Sequence, residues 1–85
     1  MSYLVQIPKS IVKQVKKIPL PWRERVDQAM RSLANKPFLG IKMSGEYHNK
    51  RKIRVWPYRI LYTFDQERKT VWIVEVGHRG HMSYK

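Results

Sequence analysis

"RKIRVWPYRILYTF", residues 51–64, is the stretch on which the fold turns. Bulky apolar residues alternate with Arg51, Lys52, Arg54 and Arg59, the two-residue period of a strand that buries one face. Trp56 and Pro57 interrupt the alternation and read as the loop of a hairpin. An even loop pairs Arg54 with Arg59. It sets Ile53, Val55, Tyr58, Ile60 and Tyr62 on one face and Lys52, Arg54 and Arg59 on the other. An odd loop drives Arg59 into the apolar layer, where an unpaired guanidinium costs far more than any turn preference returns. The even loop is therefore expected, and the cations face away from the core.

Downstream, "VWIVEV" (71–76) continues the sheet. If Trp72, Val74 and Val76 join the core layer, Glu75 falls on the cationic face, and the same alternation carries Arg79 there. The opposite register buries Glu75 and is disfavoured for the same reason. This choice leaves Leu61, Val71 and Ile73 on the bare face, an apolar surface that asks for a partner.

Upstream, "YLVQI" (3–7) reads as a strand ending at Pro8. Ser10 is placed to cap a helix in which Ile11, Val12, Val15 and Ile18 recur at helical spacing, with Lys13, Lys16 and Lys17 turned to solvent. "PLP" (19–21) breaks it. A second helix carries Trp22, Val26, Ala29, Met30 and Leu33 on one face and ends near Asn35, because Pro37 biases Lys36 away from helical angles. After a loop through Gly40 and a Ser44-Gly45 turn, strands are expected at about 47–55, 58–64 and 70–77. The order β-α-α-β-β-β implies an α+β two-layer sandwich, with an antiparallel helix pair on one face of a mostly antiparallel four-stranded sheet. Trp22, Tyr58, Tyr62 and Trp72 are expected in the core.

Eighty-five residues make a single domain over 1–85, with 18 Lys and Arg against six Asp and Glu and a formal net charge of +12. Such a surplus repels itself on folding and is explained by a polyanionic or acidic partner. There is no cysteine, so neither disulfides nor a thiolate metal site enter the reading. The carboxylates are scattered, and two histidines in "HRGH" lack a third ligand, so no metal or other cofactor is expected. His48 reads as a surface residue. No apolar run approaches a membrane span, and the N-terminus lacks a signal sequence, which makes the cytoplasm the expected location.

At "NKP" (35–37), "KIRV" (52–55), "YRILYTFD" (58–65) and "VEVGHR" (74–79), followed by Tyr84, the chain resembles the RelE/ParE superfamily of bacterial and archaeal toxins. The resemblance spans nearly the whole sequence. Its RelE-like branch implies a ribosome-dependent mRNA endonuclease that inhibits translation and is held inactive in a hetero-oligomer by an acidic antitoxin. Its ParE-like branch implies a non-enzymatic inhibitor of DNA gyrase, the alternative along with a simple RNA-binding module. On the RelE-like pattern, Lys52 and Arg54 match the basic strand of the active site and Arg59 the phosphate-binding arginine. Arg79 matches the arginine after the last strand, and Tyr84 a terminal tyrosine that stacks on a base or moves a proton.

Metal-free RNA cleavage uses the 2'-hydroxyl as nucleophile, so the protein must accept its proton, stabilise the crowded phosphate and protonate the leaving 5'-oxygen. Guanidinium groups suit the middle task, since their planar fork binds phosphate oxygens and stays charged. Arg54, Arg59 and Arg79 are the candidates. Lys52, among like charges, has a pKa pushed down towards that of a base; His78 and His81 are alternatives. Tyr84 and Trp56 are candidates for stacking on a base, and Lys50 and Arg51 for RNA contact.

Overall fold

The computed structural model describes residues 2–45 and 49–78. The elements in chain order are β1 (Leu4–Gln6), α1 (Lys9–Lys16), α2 (Trp22–Ser32), β2 (Ile41–Lys42), β3 (Arg51–Val55), β4 (Tyr58–Asp65) and β5 (Thr70–His78). They form one sheet of five strands in the order β1-β5-β4-β3-β2. Strands β2 to β5 run antiparallel to their neighbours, while β1 lies parallel to β5 with Leu4 opposite Thr70. The α+β sandwich is as expected, with one strand more than the four anticipated. That strand, β2, is two residues long and too short to leave a periodic signal.

Both helices lie on the same face of the sheet. Helix α1 buries Ile11, Val15 and Ile18, and α2 with its final turn buries Val26, Met30 and Leu33, against Ile60, Tyr62, Val71, Ile73 and Val76. Residues three or four apart share a helix face, so each helix offers one narrow apolar stripe. Val12 falls off that stripe and stays exposed, on a groove between the helices that Val15, Asp27 and Met30 also line. Ser10 does not cap α1: the helix starts two residues earlier, with Pro8 as N-cap and its carbonyl accepting from the Ile11 and Val12 amides. Proline suits that position because its fixed φ leads into the helix and it has no amide to leave unpaired. No helix among the described residues is long and apolar enough to cross a membrane.

The hairpin register is the even one. Arg54 lies opposite Arg59 and Val55 opposite Tyr58. The last strand departs from simple alternation. Leu61 pairs with Glu75 but Tyr62 pairs with Ile73, so Val74 is an extra residue without a partner on β4. A β-bulge of this kind reverses the facing of every residue beyond it. Val71, Ile73 and Val76 therefore all turn to the helices and are buried, whereas Trp72 turns to the opposite face and Val74 is exposed. The expected placement of Trp72 and Val74 in the core is thus corrected, and so is the bare position of Val71 and Ile73. Leu61 does face away from the helices, opposite Lys52 and Glu75, but it is only 1% exposed.

Candidate RNA-binding face

The side of the sheet opposite the helices, called here the outer face, is set by the alternation along β4. Arg59, Leu61 and Thr63 project there while Tyr58, Ile60 and Tyr62 project to the core. Register adds Arg54 beside Arg59, and Ile41, Lys52 and Glu75 in one row with Leu61. Directly opposed residues of an antiparallel pair have Cα atoms about 4.5–5.5 Å apart. Like charges in such a pair destabilise the sheet. Arg54 and Arg59 occupy just this arrangement, and among the described residues neither makes an ion pair. Gly77, opposite Arg59, puts no side chain beside that guanidinium.

Lys52 is half-buried at the middle of this cluster. Partial desolvation, then the charges of Arg59 and Arg54, lower its pKa below the ordinary lysine value. The ammonium form is disfavoured by losing water and by its two cationic neighbours, which raises the fraction able to accept a proton. Trp56 stands at the hairpin tip, 61% exposed, between the strands that carry Arg54 and Arg59.

Two candidates point elsewhere. Arg51 projects to the inner side of the sheet: its Nη1 donates to the Gly40 carbonyl at 2.8 Å, and its guanidinium lies over the rings of Phe38 and Phe64 at 5.2 and 5.7 Å. It is a structural clamp on the loop before β2, not part of the cationic face. His78 lies opposite Tyr58 in the register and meets its ring edge-on at 5.6 Å, so it too is on the helix side, across the sheet from Arg59. Alternation places it there because Gly77 takes the outer position. Lys50 precedes β3 and its Nζ donates to the Asn49 side chain at 3.4 Å. Arg79, His81, Tyr84 and His48 lie outside the described residues.

Three groups carry the geometry without having stood out in the sequence. The Tyr62 hydroxyl donates to the Pro37 carbonyl at 2.7 Å and accepts from the Gly40 amide at 2.8 Å. Burial raises its pKa, outweighing the opposing effects of the Gly40 amide and Arg51, so the phenol remains a donor. Gly40 admits no side chain: a Cβ there would sit 2.7 Å from the Tyr62 ring and 2.9 Å from the Lys52 carbonyl. The clasp thus fixes β2 against the backbone of Lys52. The third group is Trp72, which stands on the outer face opposite Thr63.

A family profile described as the ParE toxin of type II toxin-antitoxin systems, parDE, matches residues 4–82. The chain belongs to the ParE toxin family. No curated protein matches it significantly. Among solved structures, this toxin is similar to the toxin-antitoxin complex RelBE2 of Mycobacterium tuberculosis, with TM-score 0.80 and 27% identity over 93% of this chain and 100% of that one. It is similar also to the archaeal RelE-RelB complex of Pyrococcus horikoshii, with TM-score 0.78 and 25% identity over 96% and 100% of the two chains. The E. coli RelE toxin, solved in the free state as a double mutant, shares the fold at TM-score 0.73 and 20% identity, over 92% and 84%. The chain is accordingly a type II toxin of the RelE/ParE superfamily with the RelE fold.

Proposed function

We propose that this toxin is a ribosome-dependent mRNA endonuclease that cleaves in the ribosomal A site without a metal ion and so stops translation. The observation that carries the reading is the gathering of Lys52, Arg54 and Arg59 on the face the helices leave bare, with the lysine pKa lowered by burial and by both arginines. Lys52 accepts the 2'-hydroxyl proton as the 2'-oxygen attacks the adjacent phosphorus. Arg59 and Arg54 hold the phosphate oxygens while charge builds on them. The P–O5' bond breaks, a 2',3'-cyclic phosphate forms, and the 5'-oxygen takes a proton from an acid. Arg79, His81 and Tyr84 are the sequence candidates for completing the site and supplying that acid. The ribosome presents the mRNA in a geometry that a small open sheet does not build alone.

Purified ribosomes programmed with a defined mRNA provide the test. Cuts mapped within the A-site codon are expected, and intact mRNA at saturating toxin would end the enzyme reading. A second reading rests on the family match itself, since that profile describes ParE toxins. Under it the chain inhibits DNA gyrase by binding, and loss of supercoiling with intact mRNA would establish it.

The similar M. tuberculosis and P. horikoshii toxins were solved in complexes with antitoxins, which supports a cognate antitoxin for this chain. With a net charge of +12 to neutralise, that partner is expected to be acidic and to order as it wraps the toxin. Copurification of both products from the native operon tests this, and recovery of free toxin alone would count against it.

A further inference from the structure

The outer face is chemically divided. Towards the β3–β4 hairpin it carries Lys52, Arg54 and Arg59; towards β1 it carries Trp72 with Gln6 and Thr63 as cross-strand neighbours and Thr70 beside it. These neighbours are uncharged. Thr63 is four residues along β4 from Arg59, roughly 13 Å at strand rise. Trp72 is half-buried and lies outside the inner core cluster. It borders an open hollow of about 710 Å³ together with Thr63, Asp65, Gln66 and Glu67 and, from the inner side, Phe38 and Phe64.

We propose that Trp72 is a base-stacking residue that holds a nucleobase of single-stranded RNA beside the cationic cluster. The inference rests on the RNA reading of that cluster. An indole offers its π face to any base, and such stacking needs no particular sequence. The hollow's charge decides what sits there. Of the charged residues in the β4–β5 turn, Asp65 and Glu67 border it. Lys69 lies over the Tyr3 ring at 5.3 Å on the inner side, Arg68 stands 3.9 Å from Asp65, and Arg51, over the Phe38 and Phe64 rings, is held on the inner side by the Gly40 carbonyl. Asp65 Oδ1 is fixed by the Glu67 and Arg68 amides. Carboxylates repel phosphate, so the strand's backbone stays over the arginines and a base turns towards Trp72. The same carboxylates disfavour an acidic protein segment in this hollow. Phosphate is held at one end of the face and a base at the other.

The test uses the full chain with Trp22→Phe and Trp56→Phe, so that Trp72 is the only indole. It is titrated at low salt with a labelled single-stranded purine oligonucleotide made uncleavable by 2'-deoxy sugars, and with an abasic strand of equal phosphate count. Anisotropy reports binding of each strand, and the base-bearing one alone is expected to quench Trp72. In the otherwise native chain, Trp72→Ala should weaken the base-bearing strand roughly 5- to 150-fold and the abasic strand less than about twofold. Trp72→Phe should restore most of the loss while circular dichroism confirms folding. Equal quenching by the abasic strand, binding without quenching, or unchanged affinity in Trp72→Ala would each overturn the proposal. Failure of the otherwise native chain to bind either strand would overturn it together with the RNA reading of the arginines. Quenching without cleavage on ribosomes would leave Trp72 as a base platform and remove only the nuclease.

Discussion

Arg51 and Arg59 sit on adjacent strands of one sheet and on its opposite faces, and they differ in what they satisfy. Arg51 is spent on the fold: a carbonyl accepts from it and two rings lie beneath it. Arg59 faces Arg54, and among the described residues no carboxylate pairs with either. A guanidinium that completes the loop before β2 is explained by structure. Two guanidinium groups opposed across a strand pair are not, because their repulsion lowers stability. The contrast separates cations that build the molecule from cations held ready for something outside it.

The sharpest way to break that contrast is Arg54→Glu, which places an anion opposite Arg59. Cleavage of ribosome-bound mRNA should fall roughly 10²- to 10³-fold, the usual loss when one preorganised charge contact to a transition state is removed. Thermal unfolding should meanwhile show stability unchanged or raised by about 0.2–1 kcal/mol. A loss of stability instead would show that Arg54 belongs to the fold. On the inner side, Tyr62→Phe strips the Gly40 amide and Pro37 carbonyl of their buried partner. Denaturant titration should show a loss of about 2–6 kcal/mol, from roughly 1–3 kcal/mol for each of the two groups left unpaired. Arg51→Ala should cost roughly 1.5–3 kcal/mol through one charged hydrogen bond and two cation–π contacts.

Lys52→Met, which should abolish cleavage by removing the proton acceptor, gives the smallest effect on stability and the one with a pH signature. The folded-state pKa of Lys52 is below the ordinary 10.5, so folding is opposed by the charged ammonium. That opposition is fully present below the folded pKa and is relieved as pH rises from there towards 10.5. The methionine variant should therefore be slightly more stable near neutral pH, by about 0.5 kcal/mol or less, the usual size for a substitution outside the core. The advantage should shrink as pH climbs and as salt screens the arginines. An advantage that grew with pH would contradict the sign of the shift.

The hairpin was legible because an error there is costly: only an even loop keeps Arg59 out of the apolar layer, and Arg54 duly pairs with Arg59. The last strand was not, because no residue type in "VWIVEV" marks a break in its alternation. The bulge at Val74 costs no buried charge in either register of Val71 and Ile73, so desolvation had no power to detect it. It nevertheless kept Glu75 on the outer face, where the sequence had placed it, while exchanging Trp72 for Ile73 in the core. Arg51 was misplaced for a different reason. Strand parity alone puts it with the apolar residues, but only the folded loop supplies the Gly40 carbonyl and Phe38 ring that make that position habitable for a cation. His78 shows the converse, since parity counted past a glycine already sets it beside Tyr58 and away from Arg59.

The most direct measurement is the A-site cleavage rate of Arg59→Ala beside that of Arg51→Ala, each assayed on programmed ribosomes at matched folded fraction. The account predicts a loss of roughly 10²-fold or more for Arg59→Ala, with Arg51→Ala close to the unaltered chain once its lower stability is allowed for. Equal losses in the two variants, or the larger loss in Arg51→Ala, would contradict the assignment of the outer face as the cutting centre.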